Sequence, residues 1–348
     1  MDLNELFIHE NLPVLDAMES LNKVGKKILF VVEEGRLLAA LTDGDIRRWI
    51  LKNNDLHAPV KEIANYHPKY LDETKRSEAK EFMKRHSIEA LPIVDDQNKI
   101  VSVVFWDDRS LDSRGMLDIP VVIMAGGLGT RLYPYTKILP KPLIPIGDLP
   151  IAEHIIRRFR KFGITRYFMV VNHKKNMIKA YFNEIEKDYD LTYIDEDVPL
   201  GTGGGLSLLK GMIDSTFILS NCDILIDEDY TRLVRHHRES NNKITMVCSL
   251  KKVKIPYGVV EIDGNGMISS MKEKPELSFL TNTGIYIVEP EVVKDMLDGE
   301  VIGFPDVLAR QQAKGEKVGV FPISENSWMD MGELDQMEAM RLRLNENE

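Results

Sequence analysis

Hydrophobic positions along this chain repeat in two styles, and the change falls near Ile119. In the first part, FVVEEGRLLAALTDGD (30–45) returns as IVDDQNKIVSVVFWDD (93–108). A slide of 63 brings Val31 onto Val94, Leu37 onto Ile100 and Asp45 onto Asp108. Each copy reads as an apolar strand, an acidic turn, a second apolar strand and a polar helix start. An amphipathic helix precedes each, marked by Leu15, Met18 and Leu21 in the first and by Ala79, Phe82 and Met83 in the second. The helices align at a slide of 62, which predicts one residue gained or lost between helix and strand. A unit of about 60 residues buries too little surface to stand alone, so the copies are expected to pair.

From Ile119 strands alternate with helices: PVVIMAGG, a helix at 151–162, RYFMVVN, a helix at 176–187, LTYID, a helix at 204–211, and FILSNCD. This alternation predicts an α/β unit, a Rossmann-like mixed and mostly parallel sheet with helices on both faces. Further strands are expected at 244–250, 257–271 and 281–288. A closing helix at 333–344 would carry Leu334, Met337, Met340 and Leu344 on one face. The polar segment 111–118, with Gly115, reads as a linker. The expected domains are therefore 1–115, with repeats of about 1–58 and 59–115, and 119–348.

Composition narrows the partners. The 348 residues are 43% hydrophobic and 29% charged, as in ordinary globular protein, and the net charge of −10 argues against nucleic acid or an anionic membrane. No stretch approaches the roughly 20 apolar residues of a membrane span. The N-terminal segment lacks the basic and apolar regions of a signal peptide. Cys222 and Cys248 have no metal-binding spacing and are too few for a disulfide framework, so a reducing cytoplasm is the expected home.

The densest chemistry lies in VVIMAGGLGTRLYPYTKILPKPLIPIG (121–147). A buried strand runs into Gly126, Gly127, Gly129 and Thr130, where backbone N–H groups can converge on an anion. Arg131 and Lys141 add fixed positive charge. The dinucleotide fingerprint fails because Leu132 occupies its last glycine position, and no Walker G-K-[ST] occurs. A second glycine-rich turn, Glu196-Asp197-Val198-Pro199-Leu200-Gly201-Thr202-Gly203-Gly204-Gly205, follows a strand. Asn221-Cys222-Asp223 ends another, where a carboxylate suits a magnesium ion bridging phosphate oxygens.

The pattern G-G-x-G-T-R-L, P-x-T, P-K-P-L-[IL]-P resembles the signature of the sugar-1-phosphate nucleotidyltransferases, which have a glycosyltransferase-A-like fold. The likeness extends over nearly all of 119–340. It implies that Gly126, Gly127, Gly129 and Thr130 wrap a nucleoside triphosphate while Arg131 and Lys141 stabilise its phosphates. The segment from Glu196 resembles the family's E-x-x-P-L-G-T-[AG]-G, with the base against Gly201 and Thr202. A carboxylate at Glu196 accepts both adjacent donors of guanine and repels the acceptors of thymine, which points to GTP over another nucleoside triphosphate. The alternative is that Glu196 is a solvated turn residue.

Trp328-Met329-Asp330-Met331-Gly332 resembles W-x-D-x-G, whose aspartate joins Asp223 at Mg2+. The family's usual G-D pair departs here to Cys222-Asp223, and the bulkier residue would narrow the space beside the aspartate. Tyr257 and Gly258 resemble a P-Y-G turn over the sugar. Glu273 and Lys274 resemble E-K-P, in which the carboxylate binds sugar hydroxyls and the lysine the sugar phosphate. Asn282 matches an asparagine that binds a hydroxyl. The pair His236-His237 is expected on the solvated face of a charged helix.

The N-terminal repeat, with T-x-x-D at Thr42 and Asp45, resembles a CBS domain pair, an α+β module that commonly binds adenine nucleotides. The resemblance implies a ribose contact at Thr42 and Asp45. Phe105 stands at the threonine position of the second copy, leaving at most one such site, and the module could simply pack and dimerise. Domain order with LGTGGG and SNCD resembles the bacterial glucosamine-1-phosphate guanylyltransferases of legionaminic acid synthesis. Mannose- or heptose-1-phosphate guanylyltransfer and glucose-1-phosphate thymidylyltransfer are alternatives, and a nucleotide-sensing regulatory protein is the non-enzyme reading. A homo-oligomer is the expected state.

Overall fold

The computed structural model describes residues 3–53, 55–86, 88–105 and 116–345. The chain divides into two compact units, Met1–Ser113 and Arg114–Glu348. Asp108 and the linker positions 111–115, Gly115 among them, lie outside the described residues.

In the first unit, Phe7–Ile8 runs parallel to Ile28–Glu33, which pairs antiparallel with Arg36–Thr42. Leu71–Asp72, Ala90–Val94 and Ile100–Phe105 repeat that arrangement. Bulges fall between Val31 and Val32 and between Ile93 and Val94, so a slide of 62 holds through the first long strand of each repeat. The extra residue therefore lies in the hairpin turn and not between helix and strand. The first copy turns on two residues, Glu34 and Gly35, both at positive φ (50° and 80°), as a two-residue hairpin requires. The second turns on three, with Asn98 left-handed at φ 63° and the Asp95 carboxylate accepting from the N–H groups of Gln97 and Lys99. The copies pair at these turns: Leu37 N–H donates to Asn98 O (2.9 Å) and Ile100 N–H to Gly35 O (3.1 Å). Leu6, Phe30, Leu37, Val94 and Ile100 share one core.

The second unit is built on a seven-stranded sheet. Its order is Asp190–Asp195, Arg166–Val171, Val121–Met124, Phe217–Asn221, Glu276–Val288, Ile244–Lys254, Val318–Ser324. Only Glu276–Val288 runs against the rest, which gives the expected mixed, mostly parallel sheet. Strand alternation separates two cores. Val121 and Ile123 pack with Ile155, Phe159, Ile178 and Phe182 on one face. Val122 and Met124 pack with Leu206, Leu209, Val292 and Phe304 on the other. From Val121–Met124 the chain builds outward to one side and then returns to Phe217–Asn221 on the other. The carboxyl ends of these two parallel neighbours form the crevice where open α/β sheets bind ligands.

Three further expectations change. The segment 257–271 is a two-stranded hairpin, Val259–Ile262 with Ile268–Lys272, because Asp263–Met267 forms a tight turn around Gly266 at φ 81°. The helix expected at 204–211 is one α turn, Gly201–Gly204, running into a 3-10 stretch, Gly205–Leu209, since successive glycines do not sustain a helix. His237 does not lie on a solvated face. It is buried, with Nδ1 at 2.8 Å from Thr245 Oγ1 and Nε2 at 2.9 Å from Glu289 Oε1, because helix Tyr230–Glu239 turns this residue with Tyr230, Leu233 and Val234 toward the core.

Candidate functional site

The strand Val121–Met124 delivers the chain to the crevice, and Ala125 is still held there by Val170 O (2.8 Å). Gly129 then sits left-handed at φ 65°. A Cβ there would stand 2.8 Å from Thr136 Cγ2 and 3.3 Å from Lys141 Cβ, so both conformation and space demand glycine. Thr136, buried, donates to Gly129 O (2.8 Å) and fixes the loop from behind. Lys174 Nζ donates to the carbonyls of Thr136 (3.0 Å) and Lys137 (2.6 Å), tying the arm that follows the loop to the end of the next strand. Leu132 is fully buried and anchors the 3-10 turn that carries Thr130 and Arg131. Gly127 has open space around it, whereas a Cβ on Gly126 would meet Glu196 Oε2 at 2.7 Å.

Glu196 is buried, which removes the solvated-turn alternative. Its Oε1 accepts from Leu200 N–H (3.0 Å), its carbonyl accepts from Asn172 Nδ2 (2.7 Å), and Oε2 faces Gly126. Burial raises its carboxyl above the ordinary range, and the Leu200 N–H partly offsets this. The neighbouring glycines serve the protein's own packing. Gly201 is left-handed at φ 81° against Ile302 O, and the N–H groups of Gly203 and Gly204 donate to that same carbonyl (3.0 and 3.1 Å). Thr202 Oγ1 accepts from Phe304 N–H (3.1 Å).

A cavity of about 270 Å³ opens at the carboxyl end of Phe217–Asn221. It gathers Arg131, Thr202, Asp223, Asn282 and Asp330 from five separate segments. Asn221, Tyr286, Phe304, Pro305 and Trp328 also line it. Lys141 forms an ion pair with Asp223, both largely buried. The strand Trp328–Asp330 pairs antiparallel with Ile224–Ile226, which places Asp330 opposite Ile224 and next to Asp223. Burial and the Asp223 charge raise the Asp330 carboxyl above its ordinary range, against the pull of Lys141 and Arg131. Asp330 Oδ1 is buried with no hydrogen-bond partner. Two adjacent carboxylates, one with an unmet buried oxygen, fit a divalent cation.

Among the described residues no cluster of three or more His, Cys, Asp or Glu side chains could hold a metal. A two-carboxylate set suits an ion that keeps water or phosphate oxygens as its other ligands. Cys222 does not narrow this space: its side chain joins the apolar core and is absent from the cavity wall. Burial pushes its thiol up to about 12, which leaves it unreactive.

The remaining candidates lie elsewhere. Asn282 reaches the cavity wall with its amide already engaged, Nδ2 with Tyr286 Oη (2.5 Å) and Oδ1 with Gly284 N–H (2.9 Å). Tyr257, Gly258, Glu273 and Lys274 flank the hairpin and do not line the cavity, and Tyr257, Glu273 and Lys274 are exposed. Glu273 lies by Gly258, where a Cβ would stand 2.9 Å from its Oε2. In the N-terminal unit, Asp45 Oδ2 accepts from Thr42 Oγ1 (2.6 Å) and Thr42 N–H (2.8 Å), capping helix Asp43–Asn53, and Oδ1 pairs with Arg48. A cavity of about 330 Å³ in that unit is walled by Leu37, Leu38, Tyr66, His67, Tyr70 and Asn98, without Thr42 or Asp45.

Phe304 and Pro305 were missed by sequence reasoning, and Asn221 was read only as part of a strand end. For the first two a signal was present: Gly303-Phe304-Pro305 is a helix start with proline in its first turn. Lys174 carried no local signal at all.

The model of the nucleotidyl transferase family matches residues 120–347, and the CBS domain model matches residues 1–52 and 60–108. A UTP–glucose-1-phosphate uridylyltransferase of Synechocystis is 35% identical over 198 residues, 51% of either chain. A mannose-1-phosphate guanyltransferase of Yarrowia lipolytica is 32% identical over 221 residues, 61% of this chain and 60% of its own. The chain thus spans about half to three-fifths of the length of these curated relatives. Among solved structures, HddC from Yersinia pseudotuberculosis complexed with GMP-PN superposes with a TM-score of 0.51 at 23% identity, covering 65% of this chain and 99% of that one, which establishes the shared fold.

Proposed function

The chain belongs to the nucleotidyl transferase family, and from that premise we propose that it transfers a nucleoside monophosphate, GMP from GTP, to a sugar 1-phosphate, releasing pyrophosphate. The observation that carries the reading is the convergence of Arg131, Asp223, Asn282 and Asp330 on one cavity, with Lys141 paired to Asp223 at its edge. An oxygen of the sugar 1-phosphate attacks the α-phosphorus of the nucleotide. A new P–O bond forms, the α–β anhydride breaks, and pyrophosphate departs with the electron pair. The attacking oxygen is already ionised at neutral pH, so no general base is required. Arg131 and Lys141 neutralise the charge that accumulates on the phosphates, which is the contribution phosphoryl transfer needs most. Asp223 and Asp330 would hold Mg2+, which supplies further charge neutralisation. Lys274 would orient the sugar phosphate and Glu273 and Asn282 its hydroxyls.

Guanine is favoured by the buried carboxylate of Glu196 beside Gly126. Oε1 retains a second lone pair after accepting from Leu200 N–H, so both oxygens can still meet the two adjacent guanine donors. The guanyltransferase relative and the GMP-PN named with HddC support the same base. The uridylyltransferase relative supports a second reading, in which the base is uracil. The sugar is proposed as glucosamine, with mannose, heptose and glucose as the competing acceptors. In the N-terminal unit Thr42 and Asp45 would meet an adenine nucleotide once Asp45 releases part of its capping interactions. No described helix is long and apolar enough to cross a membrane.

GTP, UTP, dTTP, CTP and ATP, each assayed against a panel of sugar 1-phosphates for pyrophosphate release, test this. The expected result is release with GTP and one acceptor. Release with UTP alone would replace guanine by uracil, and none with any pair would overturn the enzymatic reading.

A further inference from the structure

Strand Arg166–Val171 lies between Val121–Met124, which delivers the phosphate loop, and Asp190–Asp195, which leads to Glu196. The three run parallel, so the turn that leaves Val171 emerges at the same edge as the loop and Glu196. That turn closes with Lys175 N–H on Asn172 O (3.2 Å) and puts Lys174 in the left-handed region at φ 53°. A residue with a long side chain is disfavoured there and persists only where its surroundings hold it.

The side chains of the turn reach in opposite directions. Asn172 Nδ2 donates to Glu196 O (2.7 Å) and so grips the backbone of the proposed base-reading residue. Lys174 Nζ donates the other way, to Thr136 O (3.0 Å) and Lys137 O (2.6 Å), on the arm between Gly129 and Lys141. Both carbonyls belong to the single turn Tyr135–Ile138, whose last carbonyls have no partner within the helix. On the Glu196 side, Lys179 pairs with both oxygens of Asp195 (2.6 and 2.9 Å), and Lys175 lies 3.7 Å from one of them. The Lys179 hydrogen bond and the two lysine charges hold the Asp195 carboxyl below its ordinary range. Asp195 is thus drawn to the helix, while Glu196 turns its carboxylate to Gly126. A Cβ on Gly126 would stand 2.7 Å from Glu196 Oε2 and 3.2 Å from Asn172 Cβ. The first glycine of the loop, the buried carboxylate and the turn therefore meet at one point.

We propose that Asn172 and Lys174 are positioning residues that lock the base-reading strand end to the phosphate arm, so that base selection and triphosphate grip act as one unit. This role rests on the triphosphate lying along Gly126–Lys141 with its base at Glu196. It goes further by making discrimination between bases depend on a lysine that holds the phosphate arm. A nucleotide spans both ends of the lock. While the lock holds, a correct base draws the α-phosphorus into line and a wrong base displaces it, so base contacts are realised in turnover. Once it is broken, base and phosphates bind independently.

The test uses the full chain as wild type, Asn172→Ala, Lys174→Met, Lys174→Arg and the Asn172→Ala/Lys174→Met double variant. For each, kcat and KM are measured with GTP and UTP, and GTP, UTP and inorganic triphosphate are titrated by calorimetry. Lys174→Met is expected to lower the kcat/KM ratio of preferred to rejected base at least about tenfold, chiefly through kcat, while weakening inorganic triphosphate less than about threefold. Asn172→Ala should do the same, and the double variant should be no worse than the worse single one, since either change frees the same joint. Lys174→Arg, which keeps charge and donors, should restore most of the ratio. A Lys174→Met variant that keeps the ratio but loses inorganic triphosphate would make Lys174 a plain phosphate charge and overturn the proposal, as would effects that multiply in the double variant. If Lys174→Met does not fold, Lys174→Gly decides, because glycine keeps the left-handed turn without the ammonium, and an undiminished ratio there overturns the lock. A wild type that prefers UTP would sink the guanine reading alone, and the same collapse of its own ratio is still required. An inactive wild type would sink the proposed reaction alone, and the ratio of GTP to UTP binding constants then decides.

Discussion

The phosphate side of the crevice and the sugar side are built to opposite standards. Around Gly129 the loop is tied at three points while Leu128 and Arg131 stay exposed: Thr136 holds its carbonyl, Lys174 holds the arm behind Thr136, and Lys141 reaches a buried Asp223. Around Tyr257 and Lys274, most residues of strand and hairpin between 251 and 280 are exposed. The difference teaches that charge stabilisation is prepaid in the fold while acceptor recognition is left to ligand or partner. Preorganised charges gain most from burial, where they need no rearrangement during reaction.

The contrast can be broken at its stiff end first. Asp223→Asn and Lys141→Ala are expected each to lower turnover at least about a hundredfold with the fold intact, read by steady-state kinetics and circular dichroism. Lys274→Ala on the open side should cost about as much in turnover while leaving the melting temperature unmoved, because its side chain is not part of any core. Gly129→Ala forces a Cβ into a left-handed position against Thr136, so it should destabilise the unit by roughly 1–2 kcal/mol and weaken triphosphate binding together. Unchanged stability there would mean that the loop is not held as tightly as Thr136 implies.

The smallest effect separates stability from function at Asp330. Burial and Asp223 raise its carboxyl pKa, so the folded chain binds that proton more tightly than the unfolded one. The ionised form therefore costs stability that is absent in acid and grows as pH rises from about 4 through the raised folded value. Without divalent cation, Asp330→Asn is expected to melt a few degrees higher than wild type at pH 7, with the gap closing toward pH 4, while its activity is lost. Mg2+ should raise the melting temperature of the wild type and not of the variant. A variant no more stable at neutral pH would remove the strain argument.

The sequence made the stiff side legible because its demands are local. A glycine-rich turn, an arginine with a lysine ten residues after it and a carboxylate just beyond a strand's end each leave a mark at fixed spacing. What escaped depends on chain segments meeting from afar. Lys174 grips carbonyls 37 and 38 positions earlier, and Asn221 packs its amide over Gly284. His237 looked solvated because its charged neighbours disguise which face of the helix meets the core. In the N-terminal repeats the paired sheets followed from the apolar pattern. The inserted residue was misplaced, since two- and three-residue turns differ in backbone geometry and not in polarity.

The central claim is joint dependence on two substrates. Purified wild type and Asp223→Asn should be given GTP, Mg2+ and the accepted sugar 1-phosphate, with pyrophosphate and the nucleotide sugar quantified together. Equal amounts of both products are expected from the wild type, neither when either substrate is omitted, and at least about a hundredfold less from the variant. Pyrophosphate released without sugar 1-phosphate, or a variant as active as wild type, would contradict it.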